Sequence, residues 1–149
     1  PYLVVGSPPC TMFSRLQLNL NAKKMGKEVW EKRRREAEVL LVFAAVVYKL
    51  QVQAGRHFLH EHPAGATSWQ HPAIIRLLAA PGVGAVVAHQ CQFGLETSAV
   101  GGGRAPALKP TRFMSSARAV LEALSWRVPG DHAHAQLRGG AVARGPYAD

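Results

Sequence analysis

The chain has 149 residues, 48% of them hydrophobic, and no repeat at a solenoid period, so it has the size of one domain with its own core. Eighteen Lys and Arg against nine Asp and Glu leave a net charge of +9, which points to a polyanionic partner and argues for contact with nucleic acid, not for any particular chemistry. The longest apolar runs, such as Val39 to Tyr48, are about half of what a membrane span needs, no secretory leader pattern starts the chain, and two cysteines cannot make a disulfide framework. These features predict an intracellular protein, nuclear or cytoplasmic, with no membrane partner.

Tyr2 to Gly6 reads as a continuous apolar strand, and Ser7-Pro8-Pro9 after it as a stiffened turn with Cys10 at its tip. A structural turn needs the glycine and one proline but not the thiol. The Asn and Lys content of Thr11 to Gly26 predicts a long loop. Over about Lys27 to Ala54, Trp30, Ala37, Leu40, Ala44, Val47 and Tyr48 recur at helical steps, with Glu31 to Arg35 solvating the first half. The second half is apolar nearly all round, which predicts burial. Gly55 ends the helix, and His57 to His60 predict a short second strand running into Glu61, His62 and Pro63. Pro72 opens a helix that Pro81-Gly82 stops, and Val83 to Phe93 reads as a third strand. Gly94 to Pro110 is expected to be a loose loop, Thr111 to Ser115 a fourth strand, and Ser116 to Trp126 a last helix. Residues 127–149, rich in Gly, Ala and Arg towards the end, are expected to form an irregular, flexible tail behind a domain spanning 1–126.

This alternation predicts an α/β fold with a mostly parallel sheet and flanking helices on both faces. Ligands bind such sheets outside the carboxyl ends of the strands, and Cys10 and Glu61 stand just past the ends of the first and second strands. If those strands are neighbours, thiol and carboxylate share one rim.

Gly6-Ser7-Pro8-Pro9-Cys10, followed by Phe13-Ser14, resembles the G-x-P-P-C-x-x-F-S nucleophile loop of the cytosine-C5 DNA methyltransferases. His60-Glu61-His62 is similar to their E-N-V motif, with His62 in place of the asparagine. Ala88 to Gly94, followed by Lys109-Pro110-Thr111-Arg112, resembles their A-x-x-Y-G and Q-x-R-x-R strands, with a longer insertion between them and without the glutamine and one arginine. The order is kept over roughly Tyr2 to Ser115. Phe58 to Pro63 and Lys109 to Arg112 also look like methyltransferase-type segments of retrotransposon-like polyproteins.

The resemblance implies a partial Rossmann-like, methyltransferase-type sheet and a catalytic set of Cys10, Glu61 and Arg112. The Cys10 thiolate would add to cytosine C6 and make C5 enamine-like, while Glu61 would hydrogen-bond the base at N3 and its amino group. The base must be flipped out of its stack, and Ser14, Arg15, Lys23 and Lys24 are the expected DNA contacts. The implied methyl donor is S-adenosylmethionine, yet the F-x-G-x-G turn that serves the donor in this family does not occur in the sequence. The chain is therefore expected to be the catalytic half of such a domain, lacking the N-terminal cofactor half and inactive alone. Its expected partners are DNA and either the missing half or another copy, joined at the exposed edge of the first strand. The alternative is a non-catalytic, basic nucleic-acid-binding segment of a retroelement polyprotein.

Several features have plainer readings. The Lys32 to Arg35 run is paired in register with Glu28, Glu31, Glu36 and Glu38, as a solvated helix face would be. His132 and His134 are expected at the surface, with no metal. Gly101-Gly102-Gly103 lacks the context of a phosphate loop and reads as a linker.

Overall fold

A computed structural model describes residues 1–14, 25–99, 102–125 and 133–136. The first strand, β1, covers Leu3–Gly6, and a 3-10 turn over Thr11–Phe13 follows the double proline. Helix α1 runs over Lys27–Gln53, and Gly55, at φ 65°, turns the chain into β2, His57–Pro63. A second 3-10 turn, Thr67–Gln70, leads to α2, Pro72–Leu78, which opens on proline with the His71 imidazole accepting from the Ala73 N–H. Strand β3, Gly84–His89, ends in a 3-10 turn over Gln90–Phe93. Then come β4, Glu96–Ser98, β5, Arg104–Leu108, β6, Pro110–Ser115, helix α3, Arg118–Leu124, and the two-residue β7, Ala135–Gln136.

The protein is mixed α/β, and its main sheet has the order β1-β2-β6-β3. β1 and β2 are parallel, with Gly6 beside His60, whereas β6 runs antiparallel to both β2 and β3. The expected mostly parallel sheet is thus corrected to a mixed one, in which two of the three pairings are antiparallel. The physical reason is connectivity. The α1 and α2 connections keep β1, β2 and β3 pointing the same way, while β3 returns to β6 through a small β4-β5 ribbon that reverses the chain without a helix. The segment expected to be a loose loop therefore holds two strands, and part of the expected irregular tail, Ala135–Gln136, pairs parallel with β5. Trp126 and most of that tail lie outside the described residues.

Side chains alternate across β2, so Phe58, His60 and His62 are buried on one face. On that face Leu41, Ala45 and Tyr48 of α1, Ile74 and Leu77 of α2, Trp69 and Met114 close the core, joined by Met12 and Phe13 from the turn after β1. Gly6 is required where it sits, because a Cβ there would overlap the Tyr48 hydroxyl. α3 packs on the opposite face, where Leu121 lies 3.1 Å from the place a Cβ on Gly84 would take. The second half of α1, expected to be buried, is only half so. Val39, Phe43, Val46 and Leu50 all point to solvent.

Candidate functional site

Parallel pairing of β1 and β2 sets the loop after Gly6 against the carboxyl end of β2, where Glu61 and His62 leave the sheet on opposite faces. The loop is held on both. The Ser7 hydroxyl donates to Glu61 Oε2 at 2.5 Å. On the other face His62 Nε2 lies 2.7 Å from the Pro8 carbonyl oxygen and Nδ1 lies 2.6 Å from Ser68 Oγ. A carbonyl can only accept, so Nε2 carries the hydrogen, and a neutral His62 then accepts the Ser68 hydroxyl at Nδ1. Burial lowers the His62 pKa, opposed by the Pro8 carbonyl and by Glu61, which keeps this tautomer in place near neutral pH.

Cys10 follows two residues after the clamped Pro8. Its carbonyl accepts from the Phe13 N–H at 2.9 Å, and Phe13, 1% exposed, is anchored in the core beside the His62 ring. The Thr67 hydroxyl donates to the Phe13 carbonyl, and the Arg34 guanidinium lies 5.3 Å from the centre of the Phe13 ring. The thiol is thus carried on a short span fixed at Pro8 and again at Phe13. Cys10 is a free, half-buried cysteine.

Behind the clamp lies a buried aromatic and imidazole cluster. His60 is fully buried, with Nδ1 3.2 Å from the Tyr48 hydroxyl and Nε2 unpartnered, its ring edge-on to Trp69 and 5.0 Å from that of His62. Burial, with a smaller contribution from His62, pushes the His60 pKa down to about 3, and burial also raises that of Tyr48. The Trp69 indole N–H donates to the Pro63 carbonyl, which locks the cluster to the end of β2.

The structure brings Glu61 and the loop that carries Cys10 to one rim of the sheet. Arg112 stands apart from Glu61. It pairs with His62 and not with Glu61, so the strand alternation puts it on the other face, with its guanidinium 4.7 Å from the Trp69 ring centre. It also lines a cavity of about 330 Å³ with Ala85, Val86, Val87 and Ser125. Ser14 is half-buried, its N–H bonded to the Thr11 carbonyl, and Arg15, Lys23 and Lys24 lie outside the described residues. His134, expected at the surface, is half-buried with Nε2 3.4 Å from Cys91 Sγ, while His132 lies outside the described residues. No group of three metal-ligating side chains occurs among the described residues.

Among the described residues β1 is an edge of the main sheet, and Val5 on it is 64% exposed. No helix of the described residues is long and apolar enough to cross a membrane.

In the sequence Ser7, Tyr48 and His60 read only as turn, helix and strand positions, and Ser68 and Trp69 carry no signal of their own. The alternation of Phe58, His60 and His62 was the available signal, since three side chains at steps of two share one sheet face. Comparison of the chain with family models, with curated proteins and with solved structures found no match.

Proposed function

We propose that the chain is the base-engaging half of a cytosine-C5 methyltransferase-like domain, in which Cys10 attacks C6 of an extrahelical cytosine and Glu61 holds the base. The observation that carries this reading is the double clamp: Ser7 on Glu61 and Pro8 on His62 hold the thiol's loop against the carboxylate at the carboxyl end of a parallel strand pair. A thiol is the neutral-pH side chain suited to adding to an electron-poor C6. Glu61, with one oxygen fixed by Ser7, would in its acid form donate to ring N3 as negative charge develops there. His62 and Arg112 are positioning residues in this scheme, His62 through the Pro8 carbonyl and Arg112 through Trp69. The Rossmann-like kinship of the sheet, the DNA partner and the S-adenosylmethionine requirement belong to this proposal.

Addition of the thiolate needs no donor. Once C6 carries sulfur, C5 takes a proton from water, and reversal expels the original hydrogen and the thiolate together. Single-stranded DNA tritiated at cytosine C5 should therefore lose tritium to solvent in the presence of the chain, with no S-adenosylmethionine added. Cys10→Ala should abolish release, and Glu61→Gln should slow it at least about tenfold. Salt-sensitive DNA binding without tritium release would favour the basic, non-catalytic retroelement segment, a reading that the net charge of +9 supports.

A further inference from the structure

Val39, Phe43, Val46 and Leu50 of α1 are 67%, 66%, 50% and 57% exposed. Their spacing of four, three and four residues is that of a coiled-coil seam, and at 100° per residue it lies opposite Leu41 and Tyr48, which face the sheet. The stripe is therefore the outermost surface of the helix layer. Leu40 and Val42, also exposed, flank it and widen the patch to roughly 600 Å², the upper end of the largest patch on a typical monomer.

We infer that this seam is a homodimer interface in which α1 pairs antiparallel with α1 of a second copy. Three observations select that occupant. An alternating four and three spacing is matched by another helix carrying the same spacing, and under a two-fold axis between residues 44 and 45 Phe43 of each copy meets Val46 of the other, while Val39 meets Leu50. The patch, extended by the stems of Arg35, Lys49 and Gln53, approaches the ~800 Å² per partner of a standard interface. Charge decides the direction. Lys32, Arg33, Arg34 and Arg35 crowd the first half of the helix, where Lys27–Glu31 and Arg34–Glu38 are its two intrahelical ion pairs among the described residues. Glu28, Glu31, Glu36 and Glu38 offset most of that charge, so the direction rests on the positions nearest the seam: a parallel pair would set Lys32 beside Lys32 and Arg35 beside Arg35, whereas the antiparallel pair holds these like charges about 30 Å apart.

Sedimentation velocity of the whole chain at about 100 µM should show a dimer, and Phe43→Glu should raise its dissociation constant at least about tenfold with far-UV circular dichroism unchanged. Val39→Lys, at an equally exposed site, should do the same. With Cys10 and Cys91 changed to Ser, the double variant Val39→Cys, Leu50→Cys should oxidise to a covalent dimer while either single variant should not. A monomer throughout would overturn the inference. So would a dimer that survives Phe43→Glu but is lost on Val5→Lys, which would place the contact at the edge of β1, or self-cross-linking of the single variants, which would require parallel helices.

Discussion

Two buried imidazoles must stay neutral for the site to keep its shape. An unfolded histidine takes its proton near pH 6.5, but His60 in the fold resists until about 3, and burial moves His62 in the same direction. A depressed folded pKa means that the unfolded chain binds more protons below 6.5, so this stability is complete above that pH and is lost as the pH falls. The slope reaches about 1.4 kcal/mol per pH unit for each histidine held fully neutral. Urea unfolding should therefore give a steadily lower midpoint as the pH is lowered from about 7.5 to about 5.5, a window above the carboxylate range. His60→Gln should flatten the dependence, and an unchanged midpoint in the parent protein would show that the histidines are not held as described. Protonation of His62 within the fold, which burial holds below the ordinary histidine range, would cost it its acceptor role towards Ser68 and loosen the loop.

At the scale of elements, Gly6 is where β1, β2 and α1 come closest, with Tyr48 pressed on the strand's backbone and stacked on Phe58 at 4.6 Å. Gly6→Ala should lower stability by about 1–3 kcal/mol, as overpacking does, with Tyr48→Phe recovering part of it. Equal melting temperatures for Gly6→Ala and the parent would contradict that packing. Much of this architecture was legible in the chain. The apolar run before Gly6, the helical period from Trp30 to Tyr48 and the proline before α2 each gave the right element. What failed has physical causes. Pro106 and the Gly102–Gly103 pair hid β4 and β5, because a short two-stranded ribbon with Gly at its turn leaves almost no periodic signal. The reversed direction of β6 was invisible, since Pro110 to Ser115 carries the same apolar content whichever way it runs. Apolar content also overstated the burial of α1, where seam and core residues share one composition and only their angular positions differ. In the site, Cys10 and Glu61 were legible from residue type and position. The clamp was not, because it depends on a backbone carbonyl and on tautomer.

At the scale of the molecule, the rim is assembled by strand direction. Parallel β1 and β2 bring the Cys10 loop and Glu61 to one end, while the register of β6 puts Arg112 on the face of His62, with its guanidinium over the Trp69 ring. We propose that this rim makes Cys10, and not Cys91, a nucleophile towards cytosine. The most direct test is intact-mass analysis of the chain after incubation with single-stranded DNA carrying 5-azacytosine, in which a nitrogen replaces C5. Thiolate addition to C6 with protonation at that nitrogen gives an adduct slow to eliminate, and it requires no methyl donor. The account predicts a denaturation-resistant species of protein plus one DNA strand, retained in Cys91→Ala, absent in Cys10→Ala and formed more slowly in Glu61→Gln. No adduct with the folded chain, or one that depends on Cys91, would contradict it.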